Sequence, residues 1–143
     1  MVGAVPARWR QVRGVGQIRL DPALRFVDVA HPDSLTELRG AFARLAVELG
    51  YTDFNLSTVT RHRRILTQRV ARYVYEHRTE AGMSAFAGIR YIARHNPVWE
   101  CWAVFADRLV GERLPVQGIE AEDAGLTTAA AHFKLVVEHD LPE

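Results

Sequence analysis

Cysteine is nearly absent from the chain: Cys101 is the single one among 143 residues. That excludes an intramolecular disulfide and any zinc site built on paired cysteines. Lysine is just as scarce, with Lys134 alone among 18 basic residues, so positive charge here means arginine. Arginine suits bidentate phosphate contacts better than lysine does, although a genome-wide codon bias produces the same composition. No apolar run approaches the roughly 18 residues of a membrane-spanning helix. Residues 1–14 carry Arg8, Arg10 and Arg13 but no apolar stretch of secretory-signal length, so no membrane partner and a reducing cytoplasm are expected. Repeats, low-complexity tracts and linkers are missing too, which excludes a disordered or collagen-like chain. A single domain over residues 1–143 is the expectation, long enough to bury about two-thirds of its unfolded surface.

What is present is balanced in sum and uneven along the chain. Hydrophobic residues make up 48%, and 18 basic against 17 acidic side chains leave a net charge of +1. Residues 1–20 hold Arg8, Arg10, Arg13 and Arg19 with no acid, whereas residues 112–143 hold seven acids against Arg113 and Lys134. Residues 2–14 lack a period and read as an irregular arm. Residues 17–20 and 24–29 read as short strands around Asp21-Pro22-Ala23. Ser34 and Glu37 form a capping box ahead of Leu35, Leu38, Phe42, Leu45 and Leu49, whose spacing predicts a helix ending at Gly50. Thr60 is placed to cap a second helix reaching about His77, with Leu66, Val70, Tyr73 and Val74 on its apolar face. Strands are predicted over 88–93 and 99–106, the second apolar on both faces like a covered central strand. A short strand at 116–120, a helix at 121–131 and a strand at 133–137 complete a mixed α/β pattern.

No histidine pair has the spacing of a zinc site, and Cys101, midway along an apolar strand, reads as an inert small hydrophobe. Gly14-Val15-Gly16 precedes a strand, so it fails the context of a dinucleotide loop. Arg61-His62-Arg63-Arg64 puts cations in a first helical turn, against the helix dipole. Either an anion such as phosphate sits between Arg61, Arg64 and the free amides, or solvent screens an exposed run. The stronger candidate is the strand ending in Tyr91, Arg94 and His95, because ligands in open α/β sheets gather beyond the carboxyl ends of strands. Tyr91 offers a stacking face, Arg94 a phosphate contact and His95 an imidazole for proton transfer.

The stretch GIRYIARHNPVWECWAVF, residues 88–105, resembles the C-terminal signature of the RES domain, a family named for its arginine, glutamate and serine. LRFVDV at 24–29, the TQRVARYVYEH helix and the GIEAEDAGLTTAAAHFKLVV tail resemble further pieces, so the likeness spans residues 17–137, with 1–16 as the arm. It implies a single domain related to ADP-ribosyltransferases, with a central mixed sheet flanked by helices around a pocket for NAD. The family's members are toxins of toxin–antitoxin pairs that break the nicotinamide–ribose bond of NAD, with a helix-turn-helix antitoxin blocking the pocket. NAD is then a substrate, and no cofactor is implied.

The chain departs from that pattern where the chemistry resides. Neither the family arginine nor its glutamate has a counterpart, as expected if the domain is shortened at its N-terminus, and Ala93 occupies the serine position. Tyr91, Arg94 and Cys101 match the signature. Loss of a carboxylate that supports an oxocarbenium-like transition state costs on the order of 100-fold or more in rate. The resemblance thus implies either an NAD glycohydrolase or phosphorylase of impaired activity, or a non-catalytic module that binds a partner or a second copy through an open sheet edge. An arginine-rich nucleic-acid binder using Arg61, Arg63, Arg64, Arg69 and Arg72 is the remaining alternative, disfavoured by the near-zero net charge and the lack of a known motif.

Overall fold

The computed structural model describes residues 3–60 and 64–139. In chain order its first elements are β1 (Gly3–Val5), α1 (Ala7–Gln11), β2 (Gly14–Val15), β3 (Ile18–Leu20), β4 (Phe26–Asp28), α2 (Pro32–Glu48) and α3 (Leu56–Thr60). There follow α4 (Arg64–Glu76), β5 (Gly88–Ile92), β6 (Glu100–Val104), β7 (Gly111–Arg113), β8 (Gln117–Gly118), α5 (Ala124–Phe133) and β9 (Leu135–Val137). The class is mixed α/β, as expected. In place of one central sheet, the described strands form a three-stranded sheet and three two-stranded ladders. The chain divides into two compact units, Leu20–Val110 and the pair Met1–Arg19 with Gly111–Glu143. No helix is long and apolar enough to cross a membrane among the described residues.

The leucine and phenylalanine spacing seen in the sequence winds into α2. Its N-cap is His31 rather than Ser34: the His31 imidazole accepts from the Asp33 amide at 3.3 Å, and Pro32 takes the first helical position. Proline is preorganised for that position and lacks the amide that would go unpaired, so the helix starts earlier than the capping box suggests. At the other end Gly50 has φ +85°. The Tyr51 amide reaches back to the Ala46 carbonyl and the Gly50 amide to that of Val47, both at 2.9 Å. This double closure is a Schellman motif, which needs a left-handed residue at the glycine. Thr60, expected to cap the second helix, is the last residue of α3.

α4 buries the face read from its periodicity. Leu66, Val70 and Val74 join Leu38 and Ala46 of α2, Ile89 of β5, Val29 and Phe54 in one core. Phe54 sits in a loop yet is fully buried. Arg39 holds that loop by pairing with Asp53 at 2.9 Å and donating to the Phe54 carbonyl at 3.1 Å.

β4 pairs parallel with β5, and β5 antiparallel with β6. The middle strand is therefore β5. β6 has no second partner among the described residues, and Trp102 and Ala103 on it are exposed. This corrects the expectation of a covered central strand: two-sided apolar character does not say which neighbours a strand acquires.

In the unit of the chain ends, β1 runs parallel to β9, β2 antiparallel to β8, and β3 beside β7. The expected irregular arm thus contains two strands, β1 and β2, and a helix. Three residues recruited by a strand over 130 positions away carry no local period, so the pairing is invisible in the sequence. Arg10 is 2% exposed and donates to the Glu138 carbonyl at 2.8 Å, a structural role for one of the arm's arginines. Asp123 caps α5 by accepting from the Leu126 amide at 2.9 Å.

Candidate functional site

β5 alternates its side chains, so Ile89 and Tyr91 share one face while Gly88 and Arg90 share the other. On the first face a cavity of about 360 Å³ opens, lined by Leu66, Thr67 and Val70 of α4 and by Ile89, Tyr91 and Arg94 among others. The chain after β5 turns tightly. The Ala93 amide donates to the Trp99 carbonyl at 2.7 Å, and the Asn96 side chain accepts from the Val98 amide at 3.0 Å. That closure fixes where Arg94 leaves the strand.

Two of the sequence-derived candidates, Tyr91 and Arg94, therefore come together on one cavity. His95 lies one residue further into the turn and is not among the lining residues; nor is Arg64, which opens α4 and is exposed. Arg61 lies outside the described residues, as do His62 and Arg63. Burial, followed by the neighbouring Cys101, pushes the Tyr91 phenol above its ordinary value, so it stays protonated at neutral pH. Cys101 faces Tyr91 directly in the β5–β6 register. No carboxylate lines the cavity among the described residues. The arrangement can hold an apolar or planar group against Tyr91 and an anion near Arg94, but supplies no acid–base pair.

Sequence reasoning missed two features. On the opposite face of β5, the Arg90 guanidinium bridges Asp28 of β4 and Glu100 of β6. Its hydrogen bond to Glu100 raises the arginine's pKa and holds the Glu100 carboxyl below its usual range. Only strand register brings these three together. The second feature is another cavity, about 480 Å³, lined in part by Phe26, Asp33, Glu37, Tyr73, His77 and Phe86. In the sequence Glu37 and Tyr73 are accounted for by a capping box and a helix face, which hides their meeting: the Tyr73 hydroxyl donates to Glu37 at 2.8 Å. No group of three or more metal-ligating side chains occurs among the described residues.

No protein-family model, curated protein or solved structure matches the chain.

Proposed function

We propose that the chain is a RES-like domain whose Tyr91–Arg94 cavity binds NAD or a part of it, with slow turnover. The observation that carries this reading is the convergence of an aromatic ring and a guanidinium on one apolar cavity of about 360 Å³. That volume lies in the ~300–1,000 Å³ range of ligand clefts, and the mix of apolar lining with few polar groups is typical of them. Tyr91 would stack on a base and Arg94 contact a phosphate. Slow turnover follows from the residue inventory: Ala93 stands where the family has serine, and no carboxylate faces the cavity among the described residues to support a cationic ribosyl transition state.

The test is calorimetric titration with NAD, ADP-ribose and nicotinamide, alongside chromatography of NAD for release of free nicotinamide. Weak NAD binding is expected, lowered about tenfold by Arg94→Ala, the order of one charge-assisted contact. Rapid NAD loss abolished by Arg94→Ala would overturn the slow-turnover reading. Absence of binding by all three compounds removes the site. The edge of β6, unpaired among the described residues, favours a second reading, in which the domain acts as a non-catalytic module pairing there with a second copy or with a helix-turn-helix antitoxin. Sedimentation of the pure chain as a monomer at all concentrations would exclude the second copy.

A further inference from the structure

The larger cavity is separate from the Tyr91–Arg94 site and carries a different chemistry. Its aromatic wall is continuous: the Tyr73 ring lies 6.2 Å from His77, and His77 lies 5.6 Å from Phe86. Phe26 also lines the space. Three carboxylates join these rings, those of Asp28, Asp33 and Glu37. Arg90 neutralises Asp28. Glu37 accepts the neutral Tyr73 hydroxyl, and Asp33 lies 3.7 Å from the His31 imidazole. Neither Asp33 nor Glu37 is paired with an arginine or lysine among the described residues. Both stand on α2, four positions apart and so on one helix face.

An aromatic wall beside two carboxylates that lack an arginine or lysine partner among the described residues attracts cations twice over. Ring faces draw a cation by their quadrupole, and the carboxylates add direct charge. The chain already uses one of these rings in that way, since the Arg25 guanidinium sits 5.7 Å from the Phe86 centroid. An anion would meet two carboxylates that no arginine or lysine offsets among the described residues, and a neutral apolar guest would leave them unanswered. The volume of about 480 Å³ accommodates more than a single ammonium group.

We infer that this cavity binds a small aliphatic polyamine, its ammonium groups set against the Tyr73–His77–Phe86 wall and the carboxylates of Asp33 and Glu37. The probes are spermidine, putrescine and tetramethylammonium, with 1,4-butanediol as the uncharged counterpart of putrescine. Each is titrated into the isotope-labelled chain and followed by nuclear magnetic resonance. Saturable shifts on Tyr73, His77 and Phe86 are expected with spermidine, smaller ones with tetramethylammonium and none with the diol. Glu37→Gln keeps an acceptor for the Tyr73 hydroxyl and should weaken spermidine binding about tenfold. Asp33→Asn, on a side chain 94% exposed, leaves the fold untouched and should weaken it several-fold. The inference is overturned by lack of saturation up to about 10 mM, by equal binding of the diol, or by affinity unchanged in Asp33→Asn. Shifts centred on the acidic Glu120–Asp123 stretch instead would overturn it as well.

Discussion

Gly88 sits where three strands meet, and its hydrogen is what lets them. A Cβ there would lie 2.1 Å from the Ala103 carbonyl oxygen and 2.9 Å from the Phe26 ring. Backbone on one side cannot yield, and the ring on the other is held edge-on to Trp102 at 5.0 Å. Gly88→Ala should therefore destabilise the chain by at least ~2 kcal/mol, well beyond the usual cost of a small surface change. Equilibrium urea unfolding measures it, and a loss under ~0.5 kcal/mol would show that the strands spread freely. Beside Gly88, Arg90 makes a pH-dependent link. Its hydrogen bond lowers the Glu100 pKa from the usual 4.5. A carboxyl with a depressed folded-state value stabilises the fold above its unfolded value and loses that contribution as pH falls through the folded one. The wild-type urea midpoint should therefore drop from pH 6 to pH 3 by more than that of Glu100→Gln, in which no carboxylate remains to protonate. Parallel pH profiles would refute the link.

Helices were legible because their information is local. The apolar spacing of α2 and α4 repeats within one turn: of the positions it selects, Leu38, Leu66, Val70 and Val74 are buried and Leu35, Phe42, Leu45, Leu49 and Tyr73 pack half-buried against them, while the fully buried Ala46 lies outside the pattern. Gly50 was legible for the same reason, as the residue after the last periodic leucine. Its φ of +85° with open space around it means that Gly50→Ala meets no clash, only left-handed strain. The expected cost is about 1 kcal/mol, read as a lower thermal midpoint. The strands were legible as segments but not as partners. The sequence marks β5 and β6, yet the middle place of β5 depends on β4, 62 residues away in register. The same distance hid Arg90 between Asp28 and Glu100, while Tyr91 and Arg94, three positions apart on one strand end, could be picked out directly. A second helical device needed the structure as well. Arg108 donates to the Phe86 carbonyl at 2.8 Å and to the carbonyl of Tyr75 in the last turn of α4, with its guanidinium 4.0 Å from the Tyr75 ring centroid. A cation at a helix C-terminus complements its dipole.

The uneven charge along the chain closes on itself in three dimensions, since the basic residues 1–19 and the acidic residues 111–143 belong to one compact unit. Arg19 and Glu112 show the pairing directly at 2.9 Å, though both are largely exposed and the bond contributes little. That unit is built from two-stranded ladders, and among its described residues the buried hydrophobic ones are the small Ala121 and Ala130. The unit Leu20–Val110 holds the whole connected core, from Val29 through Ile89. Local opening is governed by how much apolar surface an element must expose, so the two units should differ in amide protection. In native-state hydrogen exchange, amides of α2, α4 and β5 should open only with global unfolding. Those of β1, β2, β8 and β9 should exchange at least ~100-fold faster, a gap of about 2.7 kcal/mol. Leu66→Ala, which empties a fully buried position and should cost ~2–5 kcal/mol, should then speed exchange in α2 and β5 by the full amount. The ladder amides should respond less, because no residue of their unit belongs to the core cluster around Leu66. Equal acceleration of both sets would mean that the chain ends open only when the core does.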